Sequence, residues 1–213
     1  MDIALVCGAG GALGRALVAA FLERGDRVVA ADRHGAEAEG ARAEAVDLTS
    51  PDEVEALWER LEAVGERPRW LVNAVGGFRT GTVADSDPEG LRFLLDLNLG
   101  TAWWSCRSAA RRMETGAAIV NVSARSALAG GSGSAAYAVS KAAVVRLTEL
   151  LAGELAERGV RVNALLPSVI ATPANSGVEG AVPPEQIATV AAFLCSDAAA
   201  PISGAAIPVY GRA

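Results

Sequence analysis

Short apolar, β-branched runs alternate with helical patterns from one end of the chain to the other, and this alternation limits the fold more than any other feature. Strands are expected at Ile3–Cys7, Arg27–Ala31, Ala43–Val46, Trp70–Asn73, Ala117–Val122, Arg161–Leu165 and Ala206–Val209. Helices are expected at Leu13–Arg24, Pro51–Val64, Pro88–Arg112, Ala135–Arg158 and Pro184–Cys195, with Ser50 as a cap ahead of Pro51. Strands that are apolar throughout and separated by helices need cover on both faces. That requirement predicts a doubly wound α/β fold around a parallel sheet of about seven strands. The segment His34 to Arg42 barely accommodates a full crossover helix. No linker, repeat or low-complexity stretch divides the 213 residues, so one domain over 1–213 is expected.

Composition narrows the partners. Hydrophobic residues make up 51%, enough for a large core. A net charge of -6 without a basic cluster argues against nucleic acid. No apolar run is long enough for a membrane span. Cys7, Cys106 and Cys195 lack metal-type spacing and suit a reducing cytoplasm. His34 is the only histidine, so no metal site is expected.

The first strand runs straight into Gly8-Ala9-Gly10-Gly11-Ala12-Leu13-Gly14, and then a helix. Glycines there let the backbone turn sharply and approach a pyrophosphate, while the helix start offers free N–H groups and a positive dipole end. A glycine cluster alone also suits a tight structural turn; its place between first strand and first helix favours a dinucleotide and a Rossmann-type sheet. Asp32 closes the second strand, roughly the ~20 residues past the turn at which a ribose-binding acid is expected. A carboxylate there favours NAD over NADP, although Arg33 beside it would accommodate the extra phosphate of NADP. His34 reads as a surface loop residue.

Tyr137 and Lys141 open a long helical pattern four residues apart, so phenol and ammonium share a face. Bringing a phenol from a pKa of ~10 towards neutrality needs ~4 kcal/mol. A cation ~4 Å away supplies about that much at an effective dielectric of ~20. Such a pair serves as acid or base on a carbonyl, imine or alcohol beside a hydride carrier. The spacing by itself equally suits an amphipathic tyrosine and a solvent-facing lysine.

Together these features resemble the short-chain dehydrogenase/reductase family over essentially the whole chain. The resemblance implies that Gly8, Gly10, Gly11, Ala12, Leu13 and Gly14 form the cofactor loop, with Ala12 where a glycine is usual. It likewise implies that Asn73, Ala74, Val75 and Gly76 of the fourth-strand motif support the sheet and line the cofactor. Asp47, followed by Leu48, matches the acidic position near the adenine ring, and Asn98 matches the helix asparagine that holds a proton-relay water. Pro167, Val169, Ile170 and Thr172 fall in a segment resembling the one that contacts the nicotinamide carboxamide, with Ser168 replacing the usual glycine. By the same resemblance Tyr137 is the proton donor or acceptor, and Lys141 lowers its pKa and holds the nicotinamide ribose. A homodimer or homotetramer through the two long helices is implied as well.

One position departs from the family. Its catalytic serine falls at Ala124, whose methyl group donates nothing; Ser123 and Ser126 lie close by. Losing an oxyanion donor costs ~10²–10³ in rate for a substrate that needs one. A strongly electrophilic ring needs it less, and several short segments are similar to the dihydropteridine reductase branch, Val75-Gly76-Gly77-Phe78 and Thr172-Pro173-Ala174-Asn175 among them. The leading expectation is therefore reduction of a quinonoid dihydropterin or similar ring, with Ala124 and Phe78 at the substrate. Two alternatives stand beside it: a general carbonyl or alcohol oxidoreductase using Ser123 or Ser126, and a dinucleotide-binding sensor without catalysis. Small residues between Pro173 and Pro183 suggest an open cover over the site, and Trp103 and Trp104 suit core or subunit packing.

Overall fold

The computed structural model describes residues 1–36, 38–129, 133–175 and 177–211. Its seven strands are β1 (Ile3–Cys7), β2 (Arg27–Asp32), β3 (Ala41–Ala45), β4 (Trp70–Asn73), β5 (Ala118–Val122), β6 (Arg161–Pro167) and β7 (Ala206–Val209). They form one sheet in the order β3-β2-β1-β4-β5-β6-β7, with every pair parallel. The order reverses between β1 and β4, and ligands of such sheets bind in the crevice beyond the strand ends at that point.

Among the described residues six α-helices flank the sheet: α1 (Ala12–Glu23), α2 (Pro51–Ala63), α3 (Pro88–Leu94), α4 (Thr101–Arg112), α5 (Ala135–Leu155) and α6 (Pro184–Leu194). Strand alternation sends Leu5 and Cys7 to one face, against Leu57 and Trp58 of α2 and Leu151 of α5. Ala4 and Val6 meet Leu17 and Phe21 of α1 and Ile187 of α6 on the other. Ser50 caps α2 by accepting a bond from the Glu53 N–H.

The residues after β2 form no helix, in keeping with the short segment expected there, and Ala36 is drawn into the α1 layer instead. That leaves β3 as a mostly exposed edge strand, made polar by Arg42 and Glu44, which discourages pairing with another chain. The expected helix Pro88–Arg112 is not uniform: Leu95–Gly100 is a π-helical stretch between α3 and α4. Such a widened turn re-aims side chains, and here it carries Asn98 into the interior.

Candidate active site

At the end of β1 the chain turns on Gly8, which adopts φ +87°. A Cβ on Gly8 would stand 2.8 Å from the Val75 nitrogen, so the turn lies directly on the exit of β4. One on Gly14 would stand 2.0 Å from the Gly8 carbonyl oxygen, so helix and turn are also in backbone contact. Gly11 precedes α1 without a side-chain cap, and no acidic residue lies in the first turn. The free N–H groups and positive end of α1 thus open on a glycine turn whose only side-chain partners among the described residues, Asp32 and Arg15, bond to Gly10. The residues fit a dinucleotide pyrophosphate.

The acid expected at the end of β2 is tied to this turn. The Gly10 N–H donates to Oδ2 of Asp32 at 3.0 Å. Arg33 points instead to Asp47, 3.2 Å from its Oδ1. That oxygen also accepts from the Thr49 hydroxyl at 2.7 Å and the Thr49 N–H at 3.0 Å. Thr49, with Arg33 adding to it, holds the Asp47 carboxyl below its ordinary value. Leu48 is buried in the core, and His34 is exposed.

Beyond the turn a cavity of ≈ 690 Å³ opens over the ends of β4, β5 and β6. Leu13, Ala74, Gly76 and Phe78 line it on one side, Ala124, Tyr137 and Lys141 on another. Pro167, Val169, Ile170 and Thr172 close a third. Ile170 pairs with Val182, which pins the base of the covering segment, and Asn175 donates to the Ile170 carbonyl at 3.2 Å. Ser168, where the family has glycine, donates its hydroxyl to the Tyr210 carbonyl at 3.2 Å.

Besides Leu48 and Val75, whose side chains pack in and on the core, two residues read as site residues face elsewhere. Asn73 is buried and donates to Asn121 Oδ1 at 2.8 Å, joining β4 to β5 rather than lining the cavity. Asn98 is 1% exposed, and its amide brackets Gly77: Oδ1 accepts from the Gly77 N–H at 2.8 Å and Nδ2 donates to its carbonyl at 3.1 Å. Nδ2 also lies 2.9 Å from Oγ of Ser140, whose hydroxyl donates to the Tyr137 carbonyl. Asn98 thereby fastens the β4 exit to the first turn of α5.

The tyrosine–lysine pair shares the cavity, but its electrostatics differ from expectation. Lys141 is 4% exposed, and Nζ donates to the Val122 carbonyl at 2.9 Å. Burial pulls its ammonium down to about 8. Burial pushes the Tyr137 phenol up rather than down. With Lys141 engaged by Val122, desolvation dominates at the phenol. Tyr137 is therefore a protonated acid at neutral pH. Phe78, 61% exposed, meets its ring edge-on with centroids 4.9 Å apart.

The two serines proposed to replace the missing donor separate clearly. The Ser123 hydroxyl donates to the Lys141 carbonyl at 2.7 Å, so although Ser123 also borders the cavity its proton is already engaged. Ser126 borders the cavity, and its buried hydroxyl has no hydrogen-bond partner among the described residues. Arg125, between Ala124 and Ser126, also lines the cavity; sequence reading passed over it, though its place beside the Ala124 position was a signal.

A crevice of this kind, with phenol and lysine beside a pyrophosphate cradle, defines a dinucleotide-binding oxidoreductase class. A family model described as Enoyl-(Acyl carrier protein) reductase matches residues 8–211. The chain belongs to the short-chain dehydrogenase/reductase family, whose members are NAD(P)-dependent oxidoreductases. It is 32% identical to D-threitol dehydrogenase of Mycolicibacterium smegmatis over 237 residues, covering 98% of this chain and 91% of that one. Identity to galactitol 2-dehydrogenase of Rhizobium johnstonii is 34% over 238 residues, 97% and 92% of the two chains. The fold superposes on ligand-free aldohexose dehydrogenase of Thermoplasma acidophilum with TM-score 0.90, 28% identity and coverage of 99% and 92%. A 3-ketoacyl-(acyl-carrier-protein) reductase of Brucella melitensis, solved with NADH, gives TM-score 0.89, 28% identity and coverage of 99% and 97%. A metagenomic blue fluorescent protein solved with NADPH gives 0.88, 25% identity, and 99% and 96%. Among the described residues no helix is long and apolar enough to cross a membrane, and no cluster of potential ligands could hold a metal.

Proposed function

We propose that this chain is an NAD(P)-dependent carbonyl reductase and alcohol dehydrogenase acting on a small substrate, with Tyr137 as its proton donor. The carrying observation is that Tyr137 and Lys141 line one cavity with Ala74 and Gly76 beside the glycine cradle. A bound nicotinamide dinucleotide supplies the hydride to the carbonyl carbon. The chain's own part is to deliver the phenol proton from Oη to the carbonyl oxygen, giving the alcohol. The phenol holds its proton at neutral pH, and burial raises its value further. Lys141 and the residues read as cofactor contacts hold the dinucleotide; Asp32 sets a preference for NAD, its carboxylate repelling a 2′-phosphate.

Ser126 takes the role of the missing serine in this reading. A buried hydroxyl without a partner costs about 1–3 kcal/mol, and a substrate oxygen within its reach would relieve that cost. Rotation about one side-chain bond re-aims it. The polyol dehydrogenases among the relatives support an alcohol–ketone couple.

A second reading, reduction of a quinonoid dihydropterin as in the dihydropteridine reductase branch, is favoured by the methyl group of Ala124 and by Phe78 standing open at the cavity. Residues 1–213 act as one domain in either case. Exposed Phe93, Trp103 and Leu150 on the long helices support a homo-oligomer, and three free, buried thiols support a cytoplasmic setting.

NADH and NADPH oxidation with a panel of ketones and with quinonoid dihydropterin separates the readings. Ketone turnover abolished in Tyr137→Phe supports the first, and turnover of the pterin alone supports the second. Cofactor binding without any turnover supports the sensor and sinks both.

A further inference from the structure

The cavity contains a cation that the chemistry above does not use. Arg125 stands on its wall, and its guanidinium lies over the ring of Tyr210, 4.9 Å from the centroid. That ring packs against the buried cluster of Val145, Ala164 and Leu166, and its backbone is fastened by Ser168. The platform therefore fixes the cation in position while leaving its planar N–H edge free for other partners.

Several arginines, Arg69 with Asp2 and Asp197 and Arg112 with Glu55 and Glu62 among them, are neutralised by carboxylates, and of the described arginines that are not, Arg125 is the one that lines this cavity. No carboxylate among the described residues lies within 4.0 Å of Arg125. Glu179 borders the same cavity without pairing with it. Lys141, the other cation there, is turned to the Val122 carbonyl. In a chain of net charge -6, an unpaired guanidinium held at the mouth of a reaction cavity is placed to receive an anion.

We propose that Arg125 is the specificity-determining residue of this site, and that the substrate carries an anionic group, a carboxylate or a phosphate, which docks on its guanidinium. This rests on the oxidoreductase reading, since the anion positions a carbonyl or alcohol towards Tyr137. Arg125 takes no part in the proton transfer.

Binding tests the proposal independently of turnover. Calorimetric titration with benzoate and with inorganic phosphate, in saturating NAD⁺, compares the native protein with Arg125→Gln. At least one anion is expected to bind the native protein roughly tenfold or more tightly, the effect of one charge-assisted contact. The difference should shrink with added salt. Equal binding by the two proteins, or no binding of either anion, overturns the proposal. Matched kinetics identify the source of the charge. Phenylglyoxylate is set against its methyl ester for a carboxylate, and dihydroxyacetone phosphate against dihydroxyacetone for a phosphate. The native protein should favour one charged partner by about tenfold in kcat/KM, and Arg125→Gln should bring that ratio near one. A ratio unchanged by the substitution counts against Arg125. Failure to turn over any of the four, with anion binding still lost in Arg125→Gln, contradicts the oxidoreductase reading and leaves the anion site standing.

Discussion

On the cofactor wall of the cavity, Gly8 and Gly14 bring backbone against backbone, whereas on the substrate wall Ala124, Arg125 and Ser126 differ from one another only in what their side chains offer. The first wall depends on the absence of atoms. Its requirements are steric and tolerate almost no change. The second depends on which polar group stands at each of three successive positions, so it can be rewritten without disturbing the sheet. One fold can therefore keep a dinucleotide while its relatives act on threitol, galactitol or aldohexoses.

The largest effect is expected at the residue where the two walls meet. Tyr137→Phe removes the proton but keeps the ring that Phe78 touches. Turnover of any accepted ketone should fall about 10³-fold, roughly 4 kcal/mol of barrier. Affinity for the dinucleotide, followed by fluorescence titration, should change less than about threefold on the same scale. A variant that retains a tenth of the activity would remove Tyr137 from the chemistry.

Gly14→Ala tests the claim that the cofactor wall tolerates no added atom. With a Cβ 2.0 Å from the Gly8 oxygen, α1 must shift away from the turn. Overpacking of this kind costs up to about 3 kcal/mol, occasionally more, and urea denaturation should detect it together with lost dinucleotide binding. By contrast Ala124→Ser, on the other wall, adds a hydroxyl to a side chain that borders the cavity and should cost no more than about 1 kcal/mol.

These two walls were not equally legible in the sequence. Strand alternation and the placing of Gly8–Gly14 sufficed for the sheet and the cradle, because steric demands fix residue type. The π-helical stretch at Leu95–Gly100 was not legible, since its apolar periodicity passes for ordinary helix and only the packing of Asn98 against Gly77 and Ser140 reveals it. Nor was the phenol's direction of shift. Spacing puts Lys141 on the face of Tyr137, but only coordinates show the ammonium bound to Val122. Ser123 and Ser126 could not be ranked either, because the choice turns on which hydroxyl the Lys141 carbonyl already occupies.

Burial of Lys141 has a consequence for stability that separates its two roles. Its folded value is depressed to about 8 from 10.5, so at pH below 8 the charged form destabilises the fold. Between about 8 and 10.5 the unfolded chain binds more protons, and this contribution to stability rises with pH. The total is about 3 kcal/mol for a shift of this size. Lys141→Met should therefore lose activity yet gain stability at pH 7, the gain fading towards pH 10.5. The buried thiols, pushed up to about 12, act in the opposite sense above pH 9 but are common to both proteins. Denaturation at pH 7 and pH 10 measures the difference, and a variant less stable at pH 7 would contradict the cost assigned to the ammonium.

On the substrate wall, Ser126→Ala should lower ketone turnover about 10²-fold, near 2.7 kcal/mol, if its hydroxyl holds the substrate oxygen. Adding Ala124→Ser to that variant should restore most of the loss. A single substitution at Ser126 without effect on any ketone would strengthen the pterin reading, where no such donor is needed.

The smallest effect concerns the rim of the cofactor wall, where side chains do enter. Arg33 is held by Asp47, and an exposed pair of this kind is worth about 0.2–1 kcal/mol. Asp47→Asn keeps an oxygen for Thr49 but removes the charge that holds the guanidinium away. Released, Arg33 can turn towards a 2′-phosphate beside Asp32, so affinity for NADPH relative to NADH should rise about fivefold at most. The ratio should stay put when Arg33→Gln accompanies the change. A fall in the ratio would mean that Asp47 itself contacts the phosphate-bearing ribose, and the rim would then belong with the substrate wall, where side chains decide the ligand.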